Sequence, residues 1–431
     1  MYVEIGKILE GRMDGKDVAI RGWVYRQRTS GNLNFLIVRD ATGRVQAAVK
    51  KDAVDEKAWK DASGAYIESS IIVKGRVKKD ERAPGGWELQ ATGFELVSQG
   101  EPFPIQKDLS EEFLLDVRHL WLRSKKMSAI MKARHHLVNN LRGYLDKEGF
   151  YETPPPIITK SECEGGSTLF ELEYFGDKAY LAQSGQLYAE ATMFGLEKVY
   201  CFAPSFRAEK SRTIRHLAEY WHLEPEMAWY DQKMNMELQE KLVEYTVQKF
   251  VKGHPELLEE VGRDPADLKN VKVPFPRLDY QDAVAKVNEL GGKMKEGEDF
   301  GADEEAVLTK EYDKPVFVHN FPMEIKAFYM REDPEKRGTV LANDLLAPHG
   351  HGEIIGGSER IWELDELLKR MKGFGLDPDG DMKWYVDLRR YGSVPHSGFG
   401  MGVERLVKWV LDLEHIRDTI PFPRTITRCY P

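Results

Sequence analysis

The chain has 431 residues, enough for two or three domains, and its 42% apolar and 31% charged content suits globular units with sizeable cores. No apolar run approaches the roughly 20 residues of a membrane-spanning helix, which excludes that class. The net charge of −9 excludes a uniformly basic nucleic-acid binder, but it is uneven: residues 1–100 hold 17 Lys+Arg against 14 Asp+Glu, a balance of +3, leaving −12 for the rest. A slightly basic small domain on an acidic body can still present a local phosphate-binding surface.

The N-terminal Met1-Tyr2-Val3-Glu4-Ile5-Gly6-Lys7 lacks the basic start and apolar stretch of a secretory signal. Cys163, Cys201 and Cys429 are scattered and odd in number, as for reduced thiols, so a cytoplasmic protein is expected. Within residues 1–100, Val18–Tyr25, Leu33–Arg39, Val45–Val49, Ser70–Val77 and Trp87–Leu96 read as short strands, with Asp52–Ser63 helix-like between the third and fourth. Five short strands and one intervening helix suit a small closed barrel of the OB type.

Gly100-Glu101-Pro102-Phe103-Pro104 reads as a linker, and 101–126 as a hinge before a second domain, 127–431. From about 127 to 148 an amphipathic helix carries Ile130, Leu137, Val138, Leu141 and Leu145 at helical spacing. Thr153-Pro154-Pro155-Pro156 then forces extended chain. Residues 157–230 read as strands alternating with turns, 236–252 as a helix, and the polar, acidic 253–315 as an insertion. Strands are expected again at Val316–His319, Ala327–Met330 and Trp384–Asp387. Many strands at hairpin spacing with helices between them predict an α+β domain built on an antiparallel sheet.

His396-Ser397-Gly398-Phe399-Gly400-Met401-Gly402-Val403-Glu404-Arg405 alternates three glycines with apolar residues before a helical run. Glycine at every second strand position gives up packing and points to a ligand lying on the backbone. The pattern is neither GxGxxG nor a P-loop. Upstream, Phe206-Arg207-Ala208-Glu209 and Arg215–Glu224 form a hairpin whose loop gathers Arg207, Arg212, Arg215 and His216. Such a cluster calls for an anion, and a polyphosphate fits.

Pro156 after a long helix, the Phe206–Glu224 hairpin and the Gly398–Arg405 strand and helix resemble, in order, motifs 1, 2 and 3 of the class II aminoacyl-tRNA synthetases. The N-terminal barrel adds a resemblance to the aspartyl, asparaginyl and lysyl subgroup. The resemblance implies an ATP-dependent enzyme that activates an amino acid as its adenylate and transfers it to tRNA, needing Mg2+ and assembled as a homodimer through motif 1. It implies that Arg207 and Arg405 are catalytic, with Arg207 at the α-phosphate and Arg405 at adenine and the γ-phosphate. Glu209 would face the adenine amino group, Tyr220 stack on adenine, and Arg215 and His216 meet the outer phosphates. Glu353 and Asp344 would be magnesium ligands, as hard oxygen donors suit that ion.

Gln183-Ser184-Gly185-Gln186-Leu187-Tyr188-Ala189-Glu190 bears on the amino acid. Aspartyl enzymes resemble one another here as QSPQxxKQ, with the lysine pairing the substrate β-carboxylate. Ala189 replaces that lysine and Glu190 the following glutamine, a loss of a cation and gain of an anion that disfavours aspartate. The segment resembles the SGQLxxE pattern of asparaginyl enzymes. By that resemblance Glu190 would accept from the substrate amide, Arg360 donate to its oxygen, and Glu164, Ser184, Gln186 and Glu224 hold the α-ammonium. In the barrel, Phe35 and Gln46 fall where related enzymes read the middle anticodon base of an asparagine-accepting tRNA, with Arg26 or Arg28 beside them. An aspartyl enzyme with relaxed tRNA specificity and a synthetase-derived asparagine synthetase are the alternatives. Ala189 with Glu190 speaks against the first, and retention of the barrel against the second.

Overall fold

The computed structural model describes residues 2–106, 109–160, 168–210 and 213–431. Two compact units divide the chain, Met1–Leu114 and Leu115–Pro431.

In the first unit, helix α1 (Ile5–Leu9) precedes strands β1 (Asp17–Ser30), β2 (Leu33–Arg39) and β3 (Arg44–Lys50), helix α2 (Glu56–Gly64), and strands β4 (Ser70–Lys79) and β5 (Trp87–Ser98). The strands close a barrel in the order β1-β2-β3-β5-β4, as the sequence predicts. Alternation sends Val18, Ile20, Val24, Leu36, Val38, Val45 and Val49 into the barrel core. Asp55 starts α2 by accepting from the Ala58 amide.

The second unit begins within α3 (Glu111–Asp116) and continues through α4 (Arg118–Trp121) to the long α5 (Lys125–Lys147). Ser124 caps α5, and Ile130, Leu137, Leu141 and Leu145 are buried along one face, with Val138 half-buried beside them. Then come β6 (Tyr151–Glu152), β7 (Ile158–Thr159), β8 (Glu171–Tyr174), β9 (Asp177–Leu181), α6 (Gln186–Leu196), β10 (Lys198–Phe206) and β11 (Glu219–Ala228). Helices α7 (Gln232–Gly253) and α8 (Pro255–Val261) lead to β12 (Arg277–Asp279), α9 (Tyr280–Glu289) and α10 (Ala302–Thr309). Strands β13 (Val316–His319), β14 (Ala342–Ala347) and β15 (Gly352–Glu359), helices α11 (Leu364–Gly373) and α12 (Lys383–Arg390), strand β16 (His396–Gly402) and helix α13 (Val403–Val410) complete the unit.

Its main sheet has eight strands in the order β12-β13-β14-β15-β16-β11-β10-β6. All neighbours pair antiparallel except the two edge pairs, β12 with β13 and β6 with β10. Helices α5, α7 and α13 pack on it, and their buried residues share one core with Leu223, Ile355, Phe399 and Met401 of the sheet.

Three readings of the sequence need correction. Residues 384–387 are not a strand but part of α12: Tyr385, Val386 and Arg389 are buried at helical spacing, among Phe328, Ile361, Leu367 and Met371. Residues 327–330 form a turn, closed by the Met330 amide on the Ala327 carbonyl, that buries Phe328 and Tyr329. Residues 157–230 contain helix α6 as well as strands. Short apolar runs with aromatics do not tell helix, turn and strand apart, and packing decides. The polar stretch 253–315 holds α8, β12, α9 and α10, and β12 extends the main sheet at one edge.

Candidate active site

Adjacent strands β11, β16 and β15 set their side chains over one face of the sheet. The register pairs His222 with Gly402, Glu226 with Gly398, and Gly356 with Gly400. The three glycines of β16 do different things. A Cβ on Gly398 would lie 2.0 Å from Glu226 Oε1, so this glycine makes room for a buried protein carboxylate and not for a ligand. Gly400 and Gly402 are the ones that open onto a cavity.

Two cavities meet here. The first is lined by Arg207, Glu209, Arg215, His216, Tyr220, Glu353 and Arg405, which are all seven residues expected to hold a nucleotide. The second is lined by Ser184, Gln186, Glu224 and Arg360, and by Asp344, Lys326 and Tyr329. Arg207, His222, Glu353 and Gly400 line both, so Arg207 stands at the junction. Glu164 and Arg212 lie outside the described residues.

In the first cavity the Arg207 guanidinium lies 5.6 Å from the centre of the Tyr220 ring. Arg405 Nη1 meets Glu353 Oε2 at 2.7 Å, and Arg215 Nη2 meets Glu305 Oε2 at 2.6 Å. Glu305, on α10, also accepts from the Glu353 amide at 2.6 Å, so the two arginines and two acids form one network. Glu305 escaped sequence reasoning because Asp303-Glu304-Glu305 looks like any solvated acidic turn. Burial, then Arg405, lowers the His216 pKa. Glu404, the other half of the Glu-Arg pair, serves the fold: it accepts from the Trp221 amide at 2.9 Å and pairs with Arg134 of α5 at 2.8 Å. One carboxylate thus joins the three recognised motifs.

Glu353 and Asp344 approach each other across Gly356, where a Cβ would meet Glu353 Oε1 at 3.3 Å and Asp344 Oδ1 at 3.5 Å. Asp344 also accepts from Lys326 Nζ at 3.0 Å. Burial pushes the Asp344 carboxyl up to about 7; Lys326 opposes this, and Glu353 and Asp299 add to it. Like-charge crowding of this kind is what a divalent cation relieves, so these two residues fit a magnesium ion.

In the second cavity Glu224 is the best-supported acid. It accepts from the Gly185 amide at 2.8 Å and from the Ser184 hydroxyl, with His222 Nδ1 at 3.3 Å. Burial raises its pKa, but His222, Ser184 and the Gly185 amide outweigh burial and leave it below the usual carboxylate range. Arg360 is held by Glu226, with Nη2 to Oε1 at 2.5 Å and Nε to Oε2 at 3.3 Å, and by Ser358 Oγ at 2.7 Å. Glu226 is the acid that sequence reasoning missed; two residues beyond Glu224 it reads as polar surface until β11 is seen inside the sheet.

Glu190 differs from expectation. It does not line the cavity and is wholly buried. Its Oε2 accepts from Arg389 Nη2 at 2.6 Å and Tyr385 OH at 2.8 Å, with His396 Nε2 at 3.1 Å; its Oε1 accepts from Gln186 Nε2 at 3.0 Å. Its partners are all protein groups, and the structure does not bring it to the cavity lining, where the expected contact with a substrate amide would lie. Ala189 faces Met193, Val199, Cys201 and Ala228 in a small apolar cluster.

The family model described as tRNA synthetases class II (D, K and N) matches residues 110–426, and the OB-fold nucleic acid binding domain matches residues 18–97. The asparagine–tRNA ligase of Thermococcus gammatolerans is 52% identical over 419 residues, 97% of each chain. The chain belongs to the asparagine–tRNA ligases. The asparagine–tRNA ligase of Thermoplasma acidophilum is 47% identical, again over 97% of both chains. The crystal structure of asparaginyl-tRNA synthetase from Pyrococcus horikoshii complexed with asparaginyl-adenylate matches with a TM-score of 0.95, 52% identity and 97% of each chain covered. Membership in the asparagine–tRNA ligases does not favour the aspartyl or asparagine-synthetase alternatives. No helix among the described residues is long and apolar enough to cross a membrane.

Proposed function

We propose that this chain joins asparagine to its tRNA in two steps on one face of the sheet, by way of an asparaginyl-adenylate made from ATP. The observation that carries the reading is the junction: Arg207 lines the nucleotide cavity and the amino-acid cavity at once. An in-line attack of the asparagine carboxylate on the α-phosphorus, expelling pyrophosphate, takes place at such a border. It needs positioning and charge neutralisation, not a protein nucleophile. Arg207 would stabilise the charge developing on the α-phosphoryl oxygens, while Arg215, His216 and Arg405 hold the outer phosphates. Tyr220 and Glu209 would take the adenine ring and its amino group. Glu353 and Asp344 would hold magnesium, which when bound neutralises phosphate charge.

Glu224, with Ser184 and Gln186, would hold the α-ammonium. Arg360 would donate to the side-chain amide oxygen, kept in place by Glu226 and Ser358. The barrel would bind the anticodon loop, and the adenylate would pass its acyl group to the terminal adenosine of that tRNA. The Pro154–Pro156 segment after α5 is flanked by exposed Tyr151, Ile157 and Ile158, which suits a homodimer interface; light scattering at half the dimer mass would count against it. A cytoplasmic location goes with this activity.

The test is ATP–pyrophosphate exchange with asparagine and aspartate side by side, with magnesium and without tRNA. Exchange with asparagine alone is expected. Exchange with aspartate would overturn the amino-acid assignment, and exchange with neither would overturn the reading of both cavities.

A further inference from the structure

The cavity that receives the amino-acid side chain is walled by Arg360, a cation that by itself would welcome an aspartate as readily as an asparagine. A second cation, Arg389, is fully buried behind that wall, on α12. Glu190 touches Arg389 at 2.6 Å and, through Gln186, the cavity lining itself. Of the two further groups on Glu190, Tyr385 is a neutral donor. His396 Nδ1 lies 2.8 Å from the Val394 carbonyl, to which it can only donate. Its Nε2 is then a donor to Glu190 only as imidazolium, and burial lowers the His396 pKa.

We infer that Glu190 sets the preference for a neutral side chain without touching the substrate, its carboxylate cancelling the charge of Arg389 behind a cavity wall that would otherwise favour a second carboxylate. This rests on the assignment of the amino-acid cavity above. The geometry makes the effect a through-space one. Glu190 is shielded from water, so its charge is felt across the wall at low dielectric. Burial raises the Glu190 pKa, yet the surrounding cations, Arg389 first, outweigh burial and keep it below the usual carboxylate range. Glu226, beside Arg360, is moved the other way by its burial and by Glu190 and Glu224, with Arg360 opposing.

Glu190→Gln keeps the shape and can still accept from Arg389, but removes the anion. In pyrophosphate exchange, the ratio of kcat/KM for asparagine over aspartate is expected to fall about tenfold or more, with the aspartate value itself rising. Arg389→Met leaves Glu190 uncompensated and should move the ratio the opposite way. The double variant Glu190→Gln, Arg389→Met restores the charge balance and should bring the ratio back toward that of the unaltered enzyme, although it removes more contacts. A merely structural role predicts the reverse order: parallel losses for both amino acids, worst in the double variant. An unchanged ratio in Glu190→Gln, or parallel losses across the three, overturns the inference. If Glu190→Gln fails to fold, as read by its melting curve, Arg389→Met still decides by the direction of its shift. Failure of the unaltered enzyme to exchange with asparagine would instead count against the assignment of the cavity.

Discussion

Gly185 shows how one backbone group shapes the amino-acid cavity. The aspartyl pattern has proline there, which has no N–H, whereas the Gly185 amide donates to Glu224 Oε2 at 2.8 Å. The space is also closed: a Cβ would meet Cys201 Sγ at 2.6 Å and Pro155 Cγ at 2.8 Å. Gly185→Ala must therefore push α6 or β10 aside, at about 1–3 kcal/mol. The expected outcome is a lower melting temperature and a KM for asparagine raised about tenfold, with the KM for ATP unchanged, since charge-assisted hydrogen bonds to Glu224 are worth about 1.5–3 kcal/mol. Equal changes in both KM values would show that Gly185 only supports the fold. Residues of this kind divide cleanly by legibility. Arg207, Tyr220 and Arg405 were readable because the motif brings charge and aromatic together within a short stretch. Glu226, Glu305 and Lys326 were not, since each acts through a partner eighteen or more residues away in the chain, and an acid or lysine with a distant partner looks like surface.

At the scale of elements, the α5 helix meets the α7–α8 junction through a histidine pair: the His136 and His254 rings stack at 3.6 Å, with His135 at 5.2 Å from His136. Burial lowers the His136 pKa from the ordinary 6.5, and His254, His135 and Lys132 add to this while Glu256 opposes it. A histidine kept neutral by the fold contributes stability above its unfolded pKa, and that contribution is lost as pH falls through and below 6.5. The melting temperature should accordingly drop between pH 7.5 and 5.5, and His136→Gln should shrink the drop; an identical drop in the variant would sink the idea. The same scale explains which elements are legible in the sequence. Barrel strands and α5 were legible because alternation or a 3.6-residue period runs over their full length. Helix α12 was not, because Trp384-Tyr385-Val386 offers β-forming residues and its helical face shows only when Arg389 is counted as a buried residue, which its pairing with Glu190 allows.

At the scale of the molecule, the chemistry and the proposed RNA reading are housed apart. None of the residues lining the two cavities belongs to the Met1–Leu114 unit. In that unit Arg28 is in register with Phe35, and Ile37 with both Arg26 and Gln46, so all four predicted anticodon residues lie on the outer face of β1, β2 and β3. Phe35 is half-buried and lies opposite the core set Leu36 and Val38, so it is not a barrel-core residue. Gln46 donates to Glu88 at 2.8 Å, which fixes its amide orientation and leaves its oxygen for a donor on a base. Stacking of a base on an aromatic ring is worth about 1–3 kcal/mol, so Phe35→Ala should raise the KM for tRNA by roughly tenfold to a hundredfold. Pyrophosphate exchange, which needs no tRNA, should be unchanged, because the substitution lies in a unit that contributes nothing to either cavity. Loss of both activities in parallel would mean that the barrel supports the catalytic unit and not the RNA. Rising salt should weaken the tRNA step, since phosphate contacts proposed for Arg26 or Arg28 would release counterions while a base stack does not. A variant lacking Phe35 should therefore keep the salt slope of the unaltered enzyme at a uniformly weaker affinity, which separates the stack from the charge.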